Sequence, residues 1–137
     1  MPSKGEIFKY IQFEFEDGSK GDKYFVALNN SNINIPCVAL KTTLQNRRYI
    51  GCANGCNFSR KCFFVPSSWQ NCFPIDTYIQ LPEIFEFSAS ELLMKGANGE
   101  LEFQNNPLEQ KCFNQLLQCL AQFKYDINKT HWNLIYK

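Results

Sequence analysis

The sequence predicts an α+β domain: a small, strongly bent β-barrel closed off by helices. Three observations lead there. Short segments that alternate in polarity, or are rich in β-branched and aromatic residues, recur from residue 6 to residue 81. Ser88 then precedes Glu91 by three positions, a capping box that starts a short helix. From Leu108 the apolar spacing turns helical, through Cys112, Leu116, Leu120 and Phe123. Many short strands followed by two helices suit a bent sheet with helices at its open side.

Taken in order, residues 6–15 place Ile7, Ile11, Phe13 and Phe15 on one parity and Gln12, Glu14 and Glu16 on the other, as in a half-buried strand. "EDGSKGDK" supplies the Asp-Gly turn that follows. "YFVALN" and "IPCVALKTT" are the second and third strands, "KCFFVP" the fourth and "DTYIQL" the fifth. The helix through "ASELLM" is expected to end with Gly96 at its C′ position. "GELEF" reads as one more short strand. The late helix is expected to start with Asn106 as N-cap and Pro107 at its first position. Residues 124–137 form a tail with no assigned element, within a single domain of residues 1–137 whose core covers about residues 4–123.

Composition narrows the function classes. Of 137 residues, 45% are hydrophobic and 20% charged, which excludes a disordered tail. Thirteen Phe side chains supply enough apolar area that no metal is needed to hold the core. The net charge of +1 excludes a polycation that coats nucleic acid, while leaving room for a local basic cleft. No stretch of 18 apolar residues and no apolar leader at the N-terminus occur, so a cytoplasmic protein without membrane contact is expected. In that compartment the seven cysteines would be reduced. Cys37, Cys112 and Cys119 are expected as small core hydrophobes, and the loop cysteines as free thiols.

"GCANGCNFSRKC", residues 51–62, raises an alternative. Cys52, Cys56, Cys62 and Cys72 form a candidate zinc set, but only the first pair has knuckle-like spacing. Its glycines and polar residues otherwise describe a surface loop. A cysteine nucleophile would need His131, the single histidine, which sits in a polar tail. No phosphate-binding Gly-rich loop is present. What remains is a basic cluster at strand ends and loops: Lys23, Lys41, Thr42, Thr43, Gln45, Arg47 and Arg48. Cations beside threonine hydroxyls at a barrel rim suit a phosphate ester.

The order of segments resembles the MazF/PemK-like family of toxin endoribonucleases. "KGEIFKYIQFEF" is similar to the family's Gly-[Asp/Glu]-[Ile/Val] opening, and "GDKYFVALN" to its second strand, which begins Gly-x-Arg-Pro. "CVALKTTLQ" resembles a third strand ending in Thr-x-Gln. "DTYIQLPEIFEFSASEL" can be laid without gaps on the family's Asp-Ser-x-Ile strand, a Gln-Ile-Arg-Thr-Ile-Asp stretch and a helix start. The match covers roughly residues 4–123, as a pattern of short motifs.

The resemblance implies an SH3-like barrel, a homodimer, cleavage of single-stranded RNA without metal or other cofactor, and control by a cognate antitoxin protein. It puts Lys23 at the catalytic arginine and Thr43, or Thr42 after a one-residue shift, at the catalytic threonine. Asp76 and Thr77 fall on the Asp-Ser pair beside the substrate groove, with Lys41, Gln45, Arg47 and Arg48 as RNA contacts. Departures are specific: Arg-Pro is replaced by Lys23-Tyr24, the later arginine by Phe85, and the glutamine by Glu83. Lysine lacks the planar fork that grips a phosphate in two places. Two functions are therefore expected from this sequence: an RNA-cleaving toxin, or a degenerate barrel that binds RNA or protein without catalysis. A zinc-dependent regulator is a third reading, resting on the cysteine spacing alone.

Overall fold

A computed structural model describes residues 1–69 and 73–137; Cys72 lies outside the described residues. Among the described residues seven strands form one sheet: β1 (Ile7–Glu14), β2 (Lys20–Ala27), β3 (Cys37–Thr43), β4 (Gly55–Asn57), β5 (Cys62–Val65), β6 (Thr77–Phe87) and β7 (Leu101–Phe103). The order across the sheet is β4-β5-β6-β3-β2-β1-β7, and the neighbouring strands run antiparallel. Three α-helices accompany them: α1 (Ala89–Ala97), α2 (Gln110–Ala121) and α3 (Lys129–Tyr136). The α+β class holds, but the expected barrel does not close. β4 and β7 stand at opposite ends of the order and are not paired with one another.

Strand alternation divides the core between the two faces of the sheet. On one face Val26, Leu28, Val38, Leu40, Phe63 and Ile79 pack against Phe113, Leu116 and Leu120 of α2 and Ile135 of α3. On the other, Phe8, Tyr10, Phe25, Ala39 and Phe87 pack with Leu92 of α1. The unassigned tail thus belongs to the core. Asn128 caps α3 by accepting from the His131 amide at 2.8 Å, and Ile127 and Ile135 are buried. No helix among the described residues is long and apolar enough to cross a membrane.

Two irregularities change the expected pattern. In β1 the pairing steps from Tyr10↔Lys23 to Phe13↔Gly21, and Gln12 takes a φ of 61°. This bulge inserts one residue, so Phe13 and Phe15 turn to the same face as Phe8 and Tyr10 instead of sharing a face with Ile7. In β6 the strand continues through Pro82, beyond the expected "DTYIQL". Its register with β3 jumps from Thr42↔Ile79 to Leu40↔Ile84, so Gln80 to Glu83, four residues, stand opposite Lys41 alone. Proline is tolerated there because a bulge asks for no ladder donor.

Helix ends follow local chemistry. Ser88 Oγ accepts from the Glu91 amide at 3.2 Å, as the capping box requires, but Gly96 lies inside α1 and Gly99 takes the positive φ of 72° after it. α2 starts later than expected, with the Glu109 side chain as cap to the Cys112 amide at 3.1 Å.

α1 is tied to β1 by Tyr10, whose hydroxyl donates to Glu91 Oε2 at 2.5 Å. Burial, then the Glu91 carboxylate, pushes this phenol well above its ordinary value of 10. Tyr10→Phe is expected to cost about 1–2 kcal/mol near neutral pH. A raised folded-state pKa contributes stability that is complete below pH 10 and is lost as pH rises through the folded value. Denaturant midpoints of the two chains should therefore converge above pH 10.

The largest correction concerns the cysteines. Cys56 of β4 and Cys119 of α2, expected as thiols, are joined by a disulfide with a Cα–Cα distance of 5.5 Å. The bond fastens the edge strand to the helical layer, where Phe58 also packs on Phe123 with ring centroids 4.6 Å apart. It also removes Cys56 as a ligand of the four-cysteine set. Among the described residues no group of three or more His, Cys, Asp or Glu side chains is arranged for a metal ion.

Candidate anion-binding cleft

The β6 bulge opens the sheet beside Lys41, and two loops complete a cleft of about 420 Å³ there. One wall is a 3-10 turn over Arg47–Tyr49, which contributes Arg48 and Tyr49. The other is the connection between β4 and β5, which contributes Ser59, Arg60 and Lys61. Gln80, Leu81 and Glu83 of the bulge form the floor. Four cations thus face one carboxylate, and among the described residues none of the four belongs to an ion pair. A concave surface lined by one sign of charge focuses its field on an incoming anion.

Arg60 holds the walls together. Its guanidinium donates to the carbonyl of Ile50 at 3.0 Å and to that of Arg48. Tyr49 is buried and stacks on Tyr78 at 5.0 Å, and Tyr78 stacks on Phe64 at 4.6 Å. Gln80 Nε2 donates to the Tyr49 hydroxyl at 3.2 Å, while Gln80 Oε1 is buried without a donor. An orphaned acceptor in a basic cleft suits a ligand that brings an N–H or O–H as well as negative charge.

A second hollow of about 390 Å³ adjoins the first and shares Lys41 and Glu83 with it. Its floor is aromatic, from Phe13, Phe15 and Phe85, and its rim is acidic, from Glu14, Glu16 and Asp17. Lys41 Nζ stands over the rings of Phe85 and Phe15 at 5.4 and 5.9 Å, and Lys23 Nζ over Phe15 at 5.7 Å.

The expected site residues separate into two groups. Lys41 and Arg48 enter the cleft, while Gln45 and Arg47 are exposed outside its lining. Lys23 shares the Phe15 ring with Lys41 but does not line the cleft; burial, then the Lys41 charge, lowers its pKa. The threonines are buried at 4% and 7% exposure. Thr42 Oγ1 donates to the Tyr24 carbonyl at 3.1 Å, and Thr43 Oγ1 accepts from the Gln45 amide at 3.2 Å. Asp76 accepts from the Ser67 amide, and Thr77, fully buried, donates to the Ile75 carbonyl, so both shape the turn into β6. Of the aromatic side chains near the basic cluster, Tyr49 is buried, Phe58 lies against Phe123 and Tyr24 is exposed.

Ser59, Gln80 and Glu83 were not among the expected RNA contacts. The Arg60-Lys61 pair inside the glycine-flanked loop was the available signal for the Ser59 wall, and no short motif marked Gln80 and Glu83 of the floor. The fold and cleft define the class as an open-sheet α+β domain with a basic, polar-floored cleft at a strand bulge. No protein-family model, curated protein or solved structure matches the chain.

Proposed function

We propose that this protein is a divergent MazF/PemK-like domain that binds single-stranded RNA in the basic cleft without cleaving it. The observation that carries the reading is the convergence of Lys41, Arg48 and Lys61 on one cleft whose floor holds an unpaired acceptor. Cations supply the salt-dependent hold on the phosphates. Rotation of the Gln80 carboxamide, whose Oε1 is buried without a donor, presents that acceptor to a base amino group or a ribose hydroxyl, the donors that separate RNA from a bare polyanion. In this reading the open sheet stands for the family's SH3-like barrel. The engaged hydroxyls of Thr42 and Thr43 disfavour their catalytic use.

The expected cytoplasmic placement implied reduced thiols, and the Cys56–Cys119 bond suits oxidising surroundings instead.

A second reading keeps the toxin-type endoribonuclease, with its antitoxin and homodimer. It is favoured by the half-buried Lys23, whose lowered pKa beside Lys41 suits a group acting at a phosphate. Fluorescence anisotropy with short single-stranded RNAs of mixed sequence tests the first reading. Binding should weaken with salt at a slope near −0.7 for each phosphate held, for about three phosphates. Binding that ignores salt would sink it. Metal-free cleavage of the same RNAs, lost in Lys23→Ala, would replace it with the nuclease.

A further inference from the structure

Cys52 and Cys62 take no part in the binding chemistry above, yet their placement ties them to the cleft. Cys52 follows the 3-10 turn that carries Arg48 and Tyr49, and its amide donates to the Tyr49 carbonyl at 3.1 Å. Cys62 opens β5, directly after Lys61. The two sulfurs are 3.7 Å apart. Cys62 is fully buried among Tyr49 and Tyr78, with Cys52 and Phe64 packed against them. Cys56, in the same twelve-residue stretch, is already in a disulfide, so the surroundings that formed that bond can oxidise a neighbour. Cys37 sits in a separate buried cluster with Phe8, Phe25 and Phe87 and offers no competing partner here.

We infer that Cys52 and Cys62 form a second disulfide, which locks the two walls of the basic cleft to each other. Closing the gap to about 2.0 Å needs a small inward movement of the partly exposed Cys52 side chain. The oxidant is a low-molecular-weight disulfide such as oxidised glutathione. The Cys52 sulfur attacks it, the glutathione S–S bond breaks, and one glutathione leaves as its thiol. The Cys62 sulfur then attacks Cys52 Sγ and expels the second glutathione. The two protein thiol protons end on the two released thiols. Burial, followed by the hydrogen bond with Cys52, pushes the Cys62 thiol up to about 12, which makes Cys52 the first attacker and ring closure the slow step.

The consequence for the cleft rests on the RNA-binding reading. A locked pair of walls pre-organises Arg48 and Lys61, and so tightens binding by about 3- to 10-fold. The full chain is equilibrated in glutathione redox buffers, its remaining thiols are alkylated, and non-reduced peptides are mapped by mass spectrometry. A Cys52–Cys62 linkage is expected beside Cys56–Cys119, retained in Cys37→Ser and lost in Cys52→Ser. Alkylation of both Cys52 and Cys62 while Cys56 and Cys119 stay linked would overturn the inference, as would Cys52 paired elsewhere. RNA affinity is then compared between the cross-linked chain and Cys52→Ser. Equal affinity would overturn the coupling to the cleft. No binding by either form would remove the RNA reading, and the cross-link would stand or fall on the mapping.

Discussion

Cys56→Ser is expected to lower the melting midpoint by about 10 °C, corresponding to about 3–4 kcal/mol. The bond spans 63 residues, so its loss returns a large loop to the unfolded ensemble. The native side makes the effect worse. β4 is a three-residue edge strand whose ladder contacts are with β5 alone. Without the bond it is held to α2 by Phe58 on Phe123 and by the Gln122 amide nitrogen on Cys56 Sγ, an interaction the serine alters. Cys119→Ser should give a similar drop, and the double variant little more, because each single change already removes the whole interaction. Calorimetry under non-reducing conditions checks this. Midpoints within about 2 °C of the parent would mean the bond contributes nothing.

Much of the fold was legible because local chemistry and tertiary structure agree. β2, β3 and β5 are runs of aromatic and β-branched residues, and each overlaps the strand expected there, although β2 starts at Lys20, inside the expected turn. Ser88 caps α1 as the sequence requires. The misses have separate causes. Strict alternation through residues 6–15 takes no account of a bulge at Gln12, where no glycine marks the positive φ. Pro82 reads as the end of a strand, yet β6 runs through it because the ladder is interrupted there anyway. α3 hides in a polar tail because its apolar contribution is small, with Ile135 fully buried and Trp132 and Tyr136 only partly so.

The cleft was legible in composition and hidden in geometry. Lys41 and Arg48 stood out as cations near a strand end. Their joining to Arg60 and Lys61 depends on a β4–β5 connection folding back, and on four residues of β6 bulging against one of β3. Neither distance is encoded in any short motif. The threonine hydroxyls are engaged for a physical reason: at the end of a central strand they are enclosed, and enclosed hydroxyls bond to the nearest backbone. Cysteine pairing is equally non-local, since Cys56 and Cys119 are brought together only by α2 packing on the sheet edge.

Combining Lys41→Gln, Arg48→Ala and Lys61→Ala should weaken RNA binding about 100-fold at ~0.1 M salt. Each cation that displaces a counterion contributes about five-fold under those conditions, and in the proposed complex the three act on one strand. The salt slope should fall by about 2 in the same experiment, which separates lost phosphate contacts from a damaged fold. The choice of residues follows the contacts. Gln at position 41 keeps much of the stem that lies over Phe15 and Phe85. Arg60 is left intact because its guanidinium holds the Ile50 and Arg48 carbonyls, so its removal would move a wall as well as a charge. Glu83→Gln works in the opposite direction: it deletes the one carboxylate in the lining and should tighten binding by a few-fold. Lys23→Ala, outside the lining, should leave affinity within about two-fold of the parent under this reading. A large loss at Lys23 with none at Arg48 and Lys61 would move the RNA from the β6 bulge to the aromatic face around Phe15, where Lys23 and Lys41 meet.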